Sequence, residues 1–99
     1  MSNPLHWVGT MRRVTQRKRF RDDLERQSRR GRDIHDLFAV VELLAEEGAL
    51  PAGYGAHKLS GEWSGVWECH IEADWLLIYA VTDDELLLIR TGTHADLFT

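Results

Sequence analysis

The last third of the chain reads as three strands in a row, joined by links of only a few residues, and this constrains the fold more than anything else in the sequence. Val66, Glu68 and His70 alternate with Trp67, Cys69 and Ile71, the two-residue period of a half-buried strand. Residues 75–81 are apolar almost throughout, as expected of a central strand, and residues 86–91 make a third. Parallel neighbours need a crossover of about a dozen residues or more, so links this short leave an antiparallel meander. Trp67, Cys69 and Ile71 are expected to face the core. A tight turn at Glu72 and Ala73 sets His70 opposite Trp75 and puts Asp74 at the start of the middle strand.

The first half is helical in pattern. A short strand over 11–15 leads into a helix that Thr15 caps, that runs to about Arg30 and that Gly31 ends. Phe20 and Leu24 are its main apolar residues; the pairs Lys18 with Asp22, Arg19 with Asp23 and Arg21 with Glu25 support it at four-residue spacing. A second helix spans 33–47, with Ile34, Leu37, Phe38, Val41, Leu44 and Ala45 on one stripe and Gly48 as its stop. Residues 49–64 read as a loop, and 95–98 as a last helical turn. The class is therefore α+β: two N-terminal helices packed on a small antiparallel sheet.

At 99 residues the expectation is a single domain over 1–99, with 1–10 as a loose leader. No apolar run approaches the roughly 20 residues of a membrane helix. Residues 1–10 lack the charged head and apolar middle of a secretory signal. One cysteine, Cys69, cannot close an internal disulfide, and together these features point to the cytoplasm, with no membrane partner.

Charge is unevenly spread. The total is −4, yet of twelve Lys and Arg all but Lys58 and Arg90 lie between Arg12 and Arg32. A basic face can bind RNA on an acidic protein; a solvated helix face gives the same pattern. The C-terminal half holds His57, His70, Asp74 and His94, at strand ends and loops that can converge at one end of a small sheet. Histidine suits proton transfer near neutral pH. Cleavage of RNA by its own 2′-hydroxyl needs a base, an acid and positive groups around the phosphorane, and these residues can supply all three without a metal or other cofactor. Arg90, near the end of an apolar strand, must be paired or exposed, and phosphate binding is one use of it. Trp63, Trp67 and Trp75 read as packing residues, with Trp75 beside Asp74 the one candidate for base stacking. His35 reads as surface and Cys69 as a buried apolar group.

From His57 to Phe98 the sequence resembles the YafQ branch of the RelE-type toxins. The matching pieces are His57-Lys58-Leu59, Gly61-Glu62-Trp63-Ser64-Gly65, His70-Ile71-Glu72-Ala73-Asp74-Trp75-Leu76-Leu77-Ile78-Tyr79 and Arg90-Thr91-Gly92-Thr93-His94-Ala95-Asp96-Leu97-Phe98. The resemblance implies a fold like that of small microbial ribonucleases. It also implies a type II toxin that cuts mRNA at the ribosomal A site, and a cognate antitoxin that wraps it. Carried over, His57, His70, Asp74 and His94 are the catalytic set. His94 is then the general acid, Asp74 or His70 the base, and His57 a charge stabiliser. Phe98 and Trp75 would stack on or position a base, and Arg90 keeps the phosphate-binding use read from its place in the strand. Family members tend to be basic, whereas this chain is net acidic, with Glu62, Glu68 and Glu72 near the expected site. Two alternatives stand beside this reading. One is a degenerate toxin that only binds antitoxin; the other is a metal-dependent hydrolase using the same His and Asp side chains.

Overall fold

The computed structural model describes residues 11–98. Its five strands are β1 (Arg13–Gln16), β2 (His57–Lys58), β3 (Trp67–Glu72), β4 (Trp75–Val81) and β5 (Glu85–Gly92). Its helices are α1 (Lys18–Arg29), α2 (Ile34–Glu47) and the short α3 (His94–Phe98). The strands lie in the order β1-β5-β4-β3-β2. The meander β3–β4–β5 is antiparallel as expected, and β2 adds to it antiparallel; β1 joins the far edge parallel to β5. The sheet is therefore mostly, not wholly, antiparallel.

The apolar run of β4 explains its central place: Trp75, Leu76, Leu77 and Ile78 are all fully buried. Alternate residues serve opposite faces of the sheet. Trp75, Leu77 and Tyr79 join Cys69, Leu86, Leu88 and the inner faces of α1 and α2 in the main core. Leu76 and Ile78 pack on the other face with Leu97, beneath Trp63 and Val66. Each of these side chains contributes about 1.5–3 kcal/mol through burial, so a one-residue slip of β4 would disturb both cores at once.

Helix ends follow local chemistry where nothing competes. Gly31, at φ 89°, closes α1 in a Schellman motif: its N–H donates to Ser28 O, and Arg32 N–H donates to Gln27 O. Asp33 caps α2 by accepting from the His35 N–H at 3.0 Å. The start of α1 differs from expectation. Thr15 lies inside β1, because pairing with β5 extends the strand to Gln16, and Arg17 takes the cap position without a side-chain cap bond. The expected helix pairs also divide. Lys18 meets Asp22 at 3.1 Å, but Glu25 pairs with Arg29 rather than Arg21, and Asp23 turns inward instead of toward Arg19. The expected loop over 49–64 holds β2 and two short 3-10 turns. None of the described helices is long and apolar enough to cross a membrane.

Candidate active site

The site is assembled where the β3–β4 hairpin meets α3. A register shift between His70 and Glu72 changes the turn from the one expected. Glu72, not His70, pairs with Trp75, and His70 pairs with Leu76. That bulge leaves Ala73 and Asp74 as the turn and leaves His70 on the sheet face that α3 covers. Across it, α3 is started by a reciprocal cap. Asp96 N–H donates to Thr93 Oγ1 at 3.0 Å, and Thr93 N–H donates to Asp96 Oδ2 at 2.9 Å. Gly92 is required just before it, since a Cβ there would lie 2.9 Å from the Asp96 Cβ. The cap thus fixes the first residue of α3, His94, over the hairpin turn.

Asp74 Oδ1 accepts twice from His94: from its N–H at 3.1 Å and from Nδ1 at 2.9 Å. An ionised carboxylate can only accept, so Nδ1 carries a proton and Nε2 is left free to give or take one. The His94 side-chain bond, helped by the His94 N–H and by Arg32, holds the Asp74 carboxyl below its ordinary range. His70 stands beside this pair, with ring centroids 6.1 Å apart, and Phe98 lies 6.1 Å from His94 on the other side. Trp63 continues the line edge-on to Phe98 at 5.9 Å. His70, Asp74, His94 and Phe98 therefore converge, as the sequence suggested.

The other three expected site residues sit differently. His57, on β2, is paired with the buried Glu68 of β3 through Nε2 at 3.0 Å. Trp75 is fully buried, and its indole N–H donates to Thr91 Oγ1 at 2.9 Å. No face of it is open to a base, so base stacking by Trp75 is corrected: it anchors the strand that begins next to Asp74. Arg90 is 8% exposed and bound at both ends of a carboxylate, Nε to Asp23 Oδ2 at 2.5 Å and Nη2 to Oδ1 at 3.2 Å. Its charge is already met by Asp23, so in this structure it stands as a strut between β5 and α1 rather than as an open phosphate ligand.

Two residues of the site have no role assigned from the sequence, where Glu68 stands only as an acidic residue near the expected site. Arg32 reaches from the α1–α2 link to the hairpin turn, donating to Glu72 and to the Asp74 carbonyl at 3.3 Å each, with its guanidinium 5.3 Å from the centre of the Trp75 ring. Glu68 holds His57. The only available signal for Glu68 was its place two residues before His70, on the same face of the strand. Among the described residues, no group of three or more His, Cys, Asp or Glu side chains is placed to hold one metal ion.

Residues 12–99 match the family described as "Bacterial toxin of type II toxin-antitoxin system, YafQ". The chain belongs to the YafQ family. Among its relatives is the mRNA interferase toxin YafQ of Escherichia coli K12, 43% identical over 77 residues, 77% of this chain and 84% of that one. A crystal structure of YafQ from E. coli BL21(DE3) superposes with a TM-score of 0.84 at 37% identity, covering 89% of this chain and 99% of the other. The E. coli DinJ-YafQ toxin-antitoxin complex superposes at 0.82 and 38% identity, covering 90% and 99%. The fold is thus the YafQ fold, and the chain is a toxin of the type II class.

Proposed function

We propose that this toxin is an endoribonuclease that cuts mRNA by general acid–base catalysis, and that it does so in the ribosomal A site. The observation that carries the reading is the Asp74–His94 pair, with the His70 ring 6.1 Å from that of His94. The relative named as an mRNA interferase supports the substrate class.

The roles follow from the proton positions. With Nδ1 committed to Asp74, His94 in its protonated form presents Nε2–H, the form a general acid needs. Asp74 is a weak base because its carboxyl is held low, so it orients His94 and stabilises it once charged. The base is then His70. It takes the proton from the 2′-hydroxyl as that oxygen attacks the phosphorus. His94 gives a proton to the departing 5′-oxygen, and the products are a 2′,3′-cyclic phosphate and a free 5′-hydroxyl. His57, turned by Glu68, adds positive charge beside the phosphorane when protonated, and Phe98 supports a base. None of these roles calls on a metal.

The antitoxin-bound E. coli relative supports a cognate antitoxin for this chain too. The same reading places the protein where ribosomes are, in the cytoplasm. The test is cleavage of an mRNA with and without programmed ribosomes, by the wild type, His94→Ala and His70→Ala. Each substitution is expected to lower the rate on the order of 10²- to 10⁴-fold, with folding retained. Growth arrest and cleavage equal to wild type in His94→Ala would remove the acid–base reading and favour a toxin that only binds its antitoxin.

A further inference from the structure

Phe98, whose ring lies 6.1 Å from that of His94, also borders a hollow in the surface. This hollow, of about 500 Å³, runs from Phe98 and Glu62 past Trp63, Arg19 and Arg90. A second hollow of about 310 Å³ shares Trp63, Arg19 and Arg90 with the first and continues to Arg17 and Lys18. The two form one groove leading from the candidate active site to the start of α1. Its cations are unusual in being unspent. Among the described residues, the side chains of Arg17 and Arg19 make no ion pair, and Lys18 meets only the exposed Asp22. Arg90 is neutralised by Asp23, and Asp96 by Arg30. That leaves Glu62 as the one lining carboxylate without an ion-pair partner among the described residues. At the groove's middle stands Trp63, half-buried and edge-on to Phe98.

We propose that this groove is an extended RNA subsite: it holds the single-stranded RNA that leaves the cleavage point, with Arg17, Lys18 and Arg19 on phosphates and Trp63 beside a base. The proposal rests on the ribonuclease reading for its direction, since the groove opens from Phe98. A basic track interleaved with aromatic rings is the chemistry of single-strand binding. It also reconciles a net charge of −4 with an anionic substrate, because the positive charge is gathered where the strand lies. An acidic peptide would use the cations but has no need of the ring between them, so RNA is favoured over a protein segment.

The test uses a fluorescein-labelled ten-nucleotide RNA, 2′-O-methylated throughout so that it cannot be cut, and binding is read by polarisation across salt concentrations. The variants are the exposed triple Arg17→Gln, Lys18→Gln, Arg19→Gln and, with opposite sign, Glu62→Gln. Three lost phosphate contacts should lower the slope of log affinity against log salt by about 2. Affinity in 50 mM salt should fall about tenfold or more, while Glu62→Gln should bind about twofold tighter. Cleavage of an unmodified ten-mer should weaken in the triple, chiefly in KM. Cleavage of a trinucleotide spanning the scissile bond should not change. An unchanged slope in the triple overturns the proposal. So does an equal loss on trinucleotide and ten-mer, and so does a poly-glutamate peptide competing as well as unlabelled RNA of equal charge. If the ten-mer binds with the expected slope but neither free RNA nor mRNA on programmed ribosomes is cut, the groove stands and the ribonuclease reading falls.

Discussion

Asp74 sets the state of His94 with a single oxygen, which accepts both from the main chain and from the ring. Asparagine at this place keeps the shape and an accepting oxygen but removes the charge. Asp74→Asn is therefore expected to lower cleavage on the order of 10²-fold at pH 7, without unfolding the protein. The pH dependence carries a second expectation. The carboxyl is lowered, mainly by its bond to His94, so Asp74 stays ionised everywhere above the ordinary carboxylate value of about 4. A group held low loses its influence only as pH falls through that lowered value. Any acid limb of the rate between about pH 5 and 7 thus does not come from Asp74 and should persist in Asp74→Asn. Rates measured from pH 4 to 9 in both proteins check this; a wild-type limb that disappears with the carboxylate would show that Asp74 itself trades the proton.

At the scale of elements, α3 is too short to stand by its own hydrogen bonds, and one side chain holds it. Asp96 accepts from Thr93 N–H, from Gln27 and from both arms of the Arg30 guanidinium, at 2.7 and 3.1 Å. Arg30 is the chief cause of its strongly lowered carboxyl. A lowered group adds stability that is full above about pH 4 and is lost as pH falls below it. Asp96→Asn should therefore cost about 2 kcal/mol at pH 7, read by urea denaturation, with the gap beginning to narrow as pH falls below about 4. A gap that does not change with pH would mean that the cap matters by shape alone. Element ends show how far sequence reaches. Gly31, Asp33 and Gly48 act on neighbours within one turn, and all three ends were legible. The start of α1 was not. Thr15 carries a capping side chain, but its strand is extended by Leu87 and Leu88, more than seventy residues away. The bulge after His70 was also hidden, because a two-residue turn and a bulged one share the same residues; it is the bulge that changed the partner of Trp75.

The whole molecule is tied by a contact that no local pattern announces. Arg90 and Asp23 are 67 positions apart and both buried, 8% and 3% exposed. Arg90 was legible as a residue needing a partner; Asp23 read as a surface neighbour of Arg19, because a helical spacing offers that pair and only the fold offers the other. The convergence of His70, Asp74, His94 and Phe98 was legible through the family pattern, while the contacts of Arg32 with Asp74 and of Glu68 with His57 depended on packing between distant segments. The Asp23–Arg90 pair fixes α1 against β5, and β5 leads through Gly92 into α3, so the strut and the site share one frame. Removing Asp23 leaves the buried Arg90 charge unmet, a loss of about 3–5 kcal/mol, whereas removing Arg90 leaves Asp23 with Arg26 at 3.9 Å and the Thr91 N–H at 3.2 Å; the total for a domain of this size is about 5–15 kcal/mol. Asp23→Leu alone should be strongly destabilised in urea, and Arg90→Met alone less so. The double variant, with no charge left to satisfy, should recover most of that loss. Activity then separates the two uses of Arg90. If it is a strut, cleavage returns with stability in the double variant. If stability returns and cleavage does not, Arg90 leaves Asp23 to meet the phosphate during the reaction, and the pair is a reservoir for the site as well as its frame.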